Sequence, residues 1–251
     1  MSTLGLKWAN MLLSLWNTLL YKPLYNGLVF LMGVMPWHSV GLSVIALTVA
    51  VRLAIFPLSH KSVKTQRKMR ELEPELRAIR EKHKDKQEQA RATMELYKKH
   101  GTNPFSGCLT VFIQLPILIA LFLVFRDGFV ENAALLYPAI KYPAESSAMF
   151  LGIDLHQKSY VLAVLVGLSQ FLYTKLSLPK APPRGGGTFQ EEFARSMNLQ
   201  MRYFFPVLFV LFSISIPSAV ALYWVTSNMF SIAQELIVRK AAEEEKLAQN
   251  K

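Results

Sequence analysis

An all-α polytopic membrane protein is the fold class this sequence predicts, and three observations carry that prediction. The 251 residues are 52% hydrophobic with a mean hydropathy of +0.25, too apolar for an ordinary soluble domain of this size. Apolar runs approaching the roughly 20 residues that a bilayer-crossing helix needs alternate with charged segments. The charge is also unevenly divided: 13 of the 28 Lys and Arg fall in 59–104, beside only seven acids. A net charge of +11 admits nucleic-acid binding as an explanation. The basic excess borders apolar runs, however, and the positive-inside bias accounts for it better, so no DNA partner is expected.

Residues 1–38 form an N-terminal segment. Between Leu15 and Met35 it mixes Trp16, Tyr21, Lys22, Pro23, Tyr25 and Asn26 with Leu, Val and Phe. Lys22 and Pro23 oppose a crossing, and aromatic residues beside a cation suit an amphipathic helix lying in the outer interface; a sixth span is the alternative. No small-x-small cleavage site is present, so no removable signal peptide is expected.

Five spans follow, at 39–58, 105–125, 159–176, 203–216 and 219–238. Lipid tolerates only helices or closed barrels, and helices fit these lengths. "SIPSA" leaves room only for a tight turn, so the last two spans are expected to form an antiparallel hairpin. The fourth run is short: Tyr203–Ile216 rises about 21 Å, against a hydrocarbon core of ~30 Å. That shortfall favours a locally thinned bilayer.

The connecting segments set orientation. In 59–104, Met69, Leu72, Leu76 and Ile79 recur at spacings of three and four, and Ala90, Met94 and Tyr97 repeat the pattern after a charged break around Asp85. Two such stripes can zip into a helical hairpin. Pro74 kinks or starts its first helix, and Asn103-Pro104 ends its second. Segment 126–158 has three basic residues and four acidic, whereas 177–202 has four basic and two acidic. Loop charge therefore puts 59–104 and 177–202 in the cytoplasm and 126–158 outside. The N-terminus is then outside and the tail 239–251 inside. The triple glycine in "PRGGGTFQ" has no following Lys-Ser/Thr and is not a nucleotide loop.

Cys108 is the single cysteine, so no internal disulfide forms, and no Cys/His spacing suits a metal. The five histidines are scattered at span edges with no acid or nucleophile beside them in the bilayer. Neither a cofactor nor an enzymatic activity is expected.

Arg52 is the unusual residue, set inside the apolar run of the first span. Side chains tilt toward a helix's N-terminus, here away from the cytoplasm, so snorkelling is disfavoured. At a span's centre Arg costs at least ~2.5–3.5 kcal/mol and should face protein or water. Other spans offer polar faces at helical spacing: Thr48 and Ser59; Thr110 and Gln114; Gln170, Tyr173 and Thr174; and Tyr223, Ser227, Ser231 and Gln234 with Trp224 and Asn228 adjacent. Such faces converging on a cation suggest a hydrated groove. Two blander readings stay open. Arg52 can pair with Glu235, the sole acid inside a span, and Gln114 can merely satisfy backbone freed by Pro116.

The order "LTVAVRLAIFPLSHK", "MRELEPEL", "LYKKHGTNPFSGCL", "IQLPILIALF" and "IPSAVALYWVTSN" resembles the YidC/Oxa/Alb membrane insertases, from about Leu15 to Arg239. The resemblance implies five spans around a positively charged groove, open to the cytoplasm and lipid and closed outside. It implies nascent membrane-protein clients, with the ribosome, the Sec translocon and membrane lipids as partners, in a bacterial plasma membrane. Arg52 matches the groove arginine. Thr48 and Trp224 match positions associated with substrate passage, Tyr223 lies beside the latter, and Gln170 is a weaker groove candidate. Gln114 and Ser227 join this set from their polar faces. No large periplasmic domain precedes the first span and no long basic tail follows the last, so the chain looks like the compact form. A small-solute transporter or channel subunit is the alternative function.

Overall fold

A computed structural model describes residues 3–83, 85–102, 106–127, 133–143, 145–178 and 195–249. The triple glycine and Asn103-Pro104 lie outside these, as do the side chains of Cys108 and Thr110. The architecture is helical: α1 (Thr3–Trp16), α2 (Lys22–Val34), α3 (Val40–Ala54), α4 (Phe56–Glu71), α5 (Glu73–Lys82), α6 (Lys86–Lys99), α7 (Ser106–Asp127), α8 (Tyr160–Ser177), α9 (Arg195–Ile214) and α10 (Ser218–Gln249). Before α8, β1 (Met149–Phe150) pairs antiparallel with β2 (Ile153–Asp154). Helices α8 and α9 are each long and apolar enough to cross a membrane, and the bent α3–α4 pair makes a third if taken as one span.

The core is where α2, α3, α7, α8 and α10 meet. Tyr25, Leu28 and Met32 of α2 bury against Val40 and Val44 of α3, Leu121 and Val124 of α7, Val166 of α8 and Val220 of α10. Gly167 lets α8 and α9 approach closely, since a Cβ there would lie 2.2 Å from Val210. Small residues at such contacts are how apolar helices gain packing without a hydrophobic drive in lipid.

Several boundaries differ from the sequence expectations, each for a local reason. The first apolar run does not continue straight to Leu58. It bends by 68° between α3 and α4, because Pro57 in the first turn of α4 cannot extend the preceding helix. Likewise α9 is already helical at Arg195, ahead of Tyr203, and covers 20 described residues to Ile214. Polar residues such as Asn198 and Gln200 end the apolar run without ending the helix, so helix length gives no argument for a thinned bilayer. A π-turn at Gln200–Phe204 stops two residues before Pro206, and another at Asn17–Tyr21 stops two before Pro23. The wider turn carries the chain past a ring that lacks an N–H and crowds the i−4 carbonyl. Through the earlier one, α1 and α2 run on without a loop.

The last two spans touch each other less than a hairpin implies. From the turn at Ser215–Pro217 both α9 and α10 pack chiefly on α8, and Trp224 of α10 reaches α9 by its ring, 4.5 Å from that of Phe209. In the charged segment, Leu72, Leu76 and Leu96 are buried together with Ile79 and Tyr97 against them. Met94, expected in that stripe, is 47% exposed, and Leu96 takes its place. Pro74 lies in the first turn of α5, and the Asp85 carboxylate caps α6 by accepting the Gln87 N–H at 3.2 Å.

One end of the bundle is tied by backbone. Asn26 Nδ2 donates to the Leu135 carbonyl at 3.0 Å and its Oδ1 accepts the Tyr137 N–H at 2.7 Å. Val40 N–H donates to Ser147 O at 3.0 Å, and Ser218 and Ala219 donate to Gln157 O and Leu155 O at 2.9 and 3.0 Å. The 133–158 connection thus holds the starts of α3 and α10.

Candidate functional site

Arg52 sits two residues before the end of α3 and is only 8% exposed. Its Nη2 donates to Gln114 Oε1 of α7 at 2.7 Å. Gln114 Nε2 in turn donates to the Tyr223 hydroxyl of α10. Three helices are therefore joined through one cation, one amide and one phenol. Both ends of the amide are engaged by side chains of other helices, so Gln114 serves the arginine whatever else it bonds. Tyr173 of α8 also lies close enough to interact with the Arg52 charge. Among the described residues no ion pair includes Arg52. A guanidinium has five N–H donors, and a neutral amide oxygen orients such a charge without cancelling it.

The remaining predicted residues fall around this chain in different ways. Trp224 Nε1 donates to Gln170 Oε1 at 3.4 Å, linking α10 to α8. One turn further along α10, Asn228 Nδ2 donates to Ser169 Oγ, the residue before Gln170, at 3.1 Å. Ser227 is buried a turn beyond Tyr223, and its carbonyl accepts from Ser231 Oγ at 2.9 Å. Thr48 is buried on the Arg52 face, but its hydroxyl donates to the Val44 carbonyl of its own helix at 2.6 Å. Further still along α10, Gln234 Nε2 donates to Ser59 Oγ at 3.0 Å. The arrangement is a polar seam running between α3, α7, α8 and α10.

Glu235 does not pair with Arg52. It is 2% exposed, and its Oε1 lies 2.6 Å from Arg70 Nη2 of α4 and 3.3 Å from Arg239 Nε. Arg70 Nη1 and Arg239 Nη2 also donate to the Leu176 carbonyl, the former at 2.7 Å. Arg67 Nη1 donates to Val238 O at 3.1 Å. This clamp fastens the end of α8 and the middle of α10 to α4. Sequence reasoning missed Arg70, whose partner is 165 residues away; Arg239, one turn after Glu235, was the signal available.

Apolar helices that enclose a polar seam mark a membrane-embedded protein. Residues 30–246 match the model of the family described as 60Kd inner membrane protein. The membrane protein insertase YidC of Fusobacterium nucleatum is 34% identical over 88% of this chain and 97% of its own length. That of Oceanobacillus iheyensis is 31% identical over 90% and 84%, and the membrane protein insertase MisCA of Bacillus subtilis is 30% identical over 89% and 79%. A crystal structure of an active YidC insertase with its first transmembrane domain resolved superposes with a TM-score of 0.57 at 29% identity, over 85% of this chain and 45% of that one. The chain thus spans less than half the length of that solved protein. It belongs to the 60Kd inner membrane protein family, the YidC group of membrane protein insertases.

Proposed function

We propose that this chain inserts small membrane proteins by admitting their polar tails to the Arg52 seam and releasing their apolar segments to lipid. The observation that carries the reading is a buried arginine hydrogen-bonded to a neutral glutamine instead of a carboxylate. A charge held that way keeps its attraction for an incoming acidic group, since burial lowers the local dielectric and strengthens the pairing. In this reading five spans, at 39–58, 105–125, 159–176, 203–216 and 219–238, surround a groove lined by Arg52, Thr48, Gln114, Gln170, Tyr223, Trp224 and Ser227. The groove opens to the cytoplasm and to lipid, and the 126–158 segment lies outside.

A client's tail enters the wet groove and its apolar segment slides along α8 and α10, gaining transfer energy as it reaches lipid. A membrane potential adds ~2.3 kcal/mol per charge per 100 mV in pulling an acidic tail outward. No covalent step is involved. The α5–α6 pair and the 177–202 segment face the cytoplasm as contacts for a translating ribosome, with the Sec translocon as a second partner, in a bacterial plasma membrane. The N-terminal helix lies in the outer interface. The transporter alternative draws no support from the relatives, which are insertases by name.

The test is insertion of a single-span client with a short acidic N-tail into proteoliposomes that contain only this chain, read as tail protection from external protease. Protection above empty liposomes that falls in Arg52→Ala is the expected result. Equal protection in both would retain the insertase and remove the electrostatic role of the arginine. Protection no better than empty liposomes would overturn unaided insertion.

A further inference from the structure

Two large apolar residues at the tied end of the bundle hold backbone conformations that suit glycine. Trp37 has φ 55° and His38 φ 46°, in the short link between α2 and α3. Leu151 has φ 50° and is followed by Gly152 at φ 79°, so the β1–β2 hairpin turns with both central residues left-handed. That φ pattern belongs to type I′ turns, which favour Asn, Asp or Gly at the first position. A tryptophan or leucine there carries a steric cost that only the surroundings can offset. Neither side chain is covered by the described residues, since Trp37 is 83% exposed and Leu151 88%. The ligand of both side chains therefore lies outside the protein.

Their neighbours say what it is. Phe30 and Val34 are exposed one turn apart on α2, and Trp37 follows in the link just beyond its end. Two further exposed apolar residues, Met149 and Tyr160, flank the hairpin and open α8. The two tips are fastened together: Ser147 N–H donates to the His38 carbonyl at 3.3 Å, Val40 N–H to Ser147 O at 3.0 Å, and the Phe150 ring fills the space beside Gly41. His38 Nδ1 also donates to the Met32 carbonyl at 2.9 Å, holding the link in shape. Trp37 stands three residues before α3 begins and Leu151 nine before α8, at the mouths of two apolar helices. That is the level at which Trp and Tyr favour the boundary between headgroups and acyl chains.

We propose that Trp37 and Leu151 are a paired lipid anchor, strained outward to seat this end of the bundle in the headgroup layer. The proposal rests on membrane embedding and not on insertase activity. The rigid backbone between the tips makes the anchor a fixed depth gauge for α3, and hence for Arg52 fifteen residues further on. A flexible loop could not transmit depth in this way.

Two probes of the full chain in phosphatidylcholine/phosphatidylglycerol nanodiscs test it. In the first, Trp8, Trp16 and Trp224 are replaced by Phe so that Trp37 alone emits. Blue-shifted emission, quenched more by lipids brominated near the headgroup than by lipids brominated near the chain ends, is expected. In the second, Leu151→Cys carries a nitroxide with all tryptophans retained, and relaxation by oxygen should exceed relaxation by a water-soluble nickel chelate. Water-like, unquenched Trp37 emission overturns the anchor, as does a nitroxide more accessible to nickel than to oxygen. Either of those outcomes would leave the exposed tips to a protein partner instead.

Discussion

Arg52 and Arg70 lie in the same bundle under opposite electrostatic conditions. Arg70 meets the buried Glu235 at 2.6 Å, with Arg239 on the same carboxylate and the Leu176 carbonyl accepting from both guanidinium groups. Arg52 has a neutral amide at 2.7 Å, itself fixed by Tyr223. A cation with a buried counter-charge is locked, because separating the pair strands both charges. A cation held by an amide is positioned and remains attractive to anything negative that arrives. The chain thus uses one arginine to fasten α4 across α8 and α10, and holds another against a neutral amide.

The largest expected effect tests the lock. Glu235→Ala should lower unfolding free energy by about 3 kcal/mol, since it removes the buried carboxylate that the half-buried Arg70 and Arg239 share; thermal unfolding in detergent reads this directly. An unchanged melting temperature would mean the clamp is ornamental. Arg52→Met should behave in the reverse sense. Removing an unpaired buried charge should change stability by no more than about 1 kcal/mol, or raise it, while client insertion falls roughly ten- to a hundredfold with the loss of a charged hydrogen bond worth about 1.5–3 kcal/mol. If Arg52→Met destabilised the fold as much as Glu235→Ala, the contrast between the two arginines would collapse.

Gln114→Leu sharpens the contrast from the middle of the chain of bonds. It deprives both Arg52 and Tyr223 of a partner, and a stability loss of about 1–3 kcal/mol is expected, together with slower insertion because the cation is no longer aimed. The smallest effect belongs to Thr48→Val. Its hydroxyl bonds its own helix backbone, so a loss of about 0.5–1 kcal/mol is expected, with a smaller drop in insertion than Arg52→Met produces. A Thr48 variant as defective as the Arg52 variant would show that the hydroxyl turns toward the client.

Much of the helix content was legible, because hydropathy and the period of 3.6 act within one segment. The candidate site was partly legible. Polar residues at i, i+3 and i+4 placed Tyr223, Ser227 and Ser231 on one face of α10, and Gln114 within reach of another helix. What they would bond was not visible: Thr48 turns to its own backbone, while Gln170 meets Trp224. The helical turns before Tyr203 were missed because loss of apolarity is not loss of helicity. Met94 was mistaken for Leu96 because two overlapping apolar stripes on a charged helix differ only in which one the partner covers.

By itself the sequence determined a membrane-embedded helical chain, a basic charged arm between its first two apolar runs, and a cation set where lipid would reject it. These follow from transfer energies and local periodicity, which each segment carries alone. Only the tertiary structure decided that Glu235 belongs to Arg70 and that Gln114 belongs to Arg52. It also decided that α8 lies against both α9 and α10. Pairings across 62 to 165 residues depend on which helix faces meet. Those faces are chosen by the packing of the whole bundle, at places such as Gly167 against Val210 and Phe150 against Gly41, and no single segment contains that information.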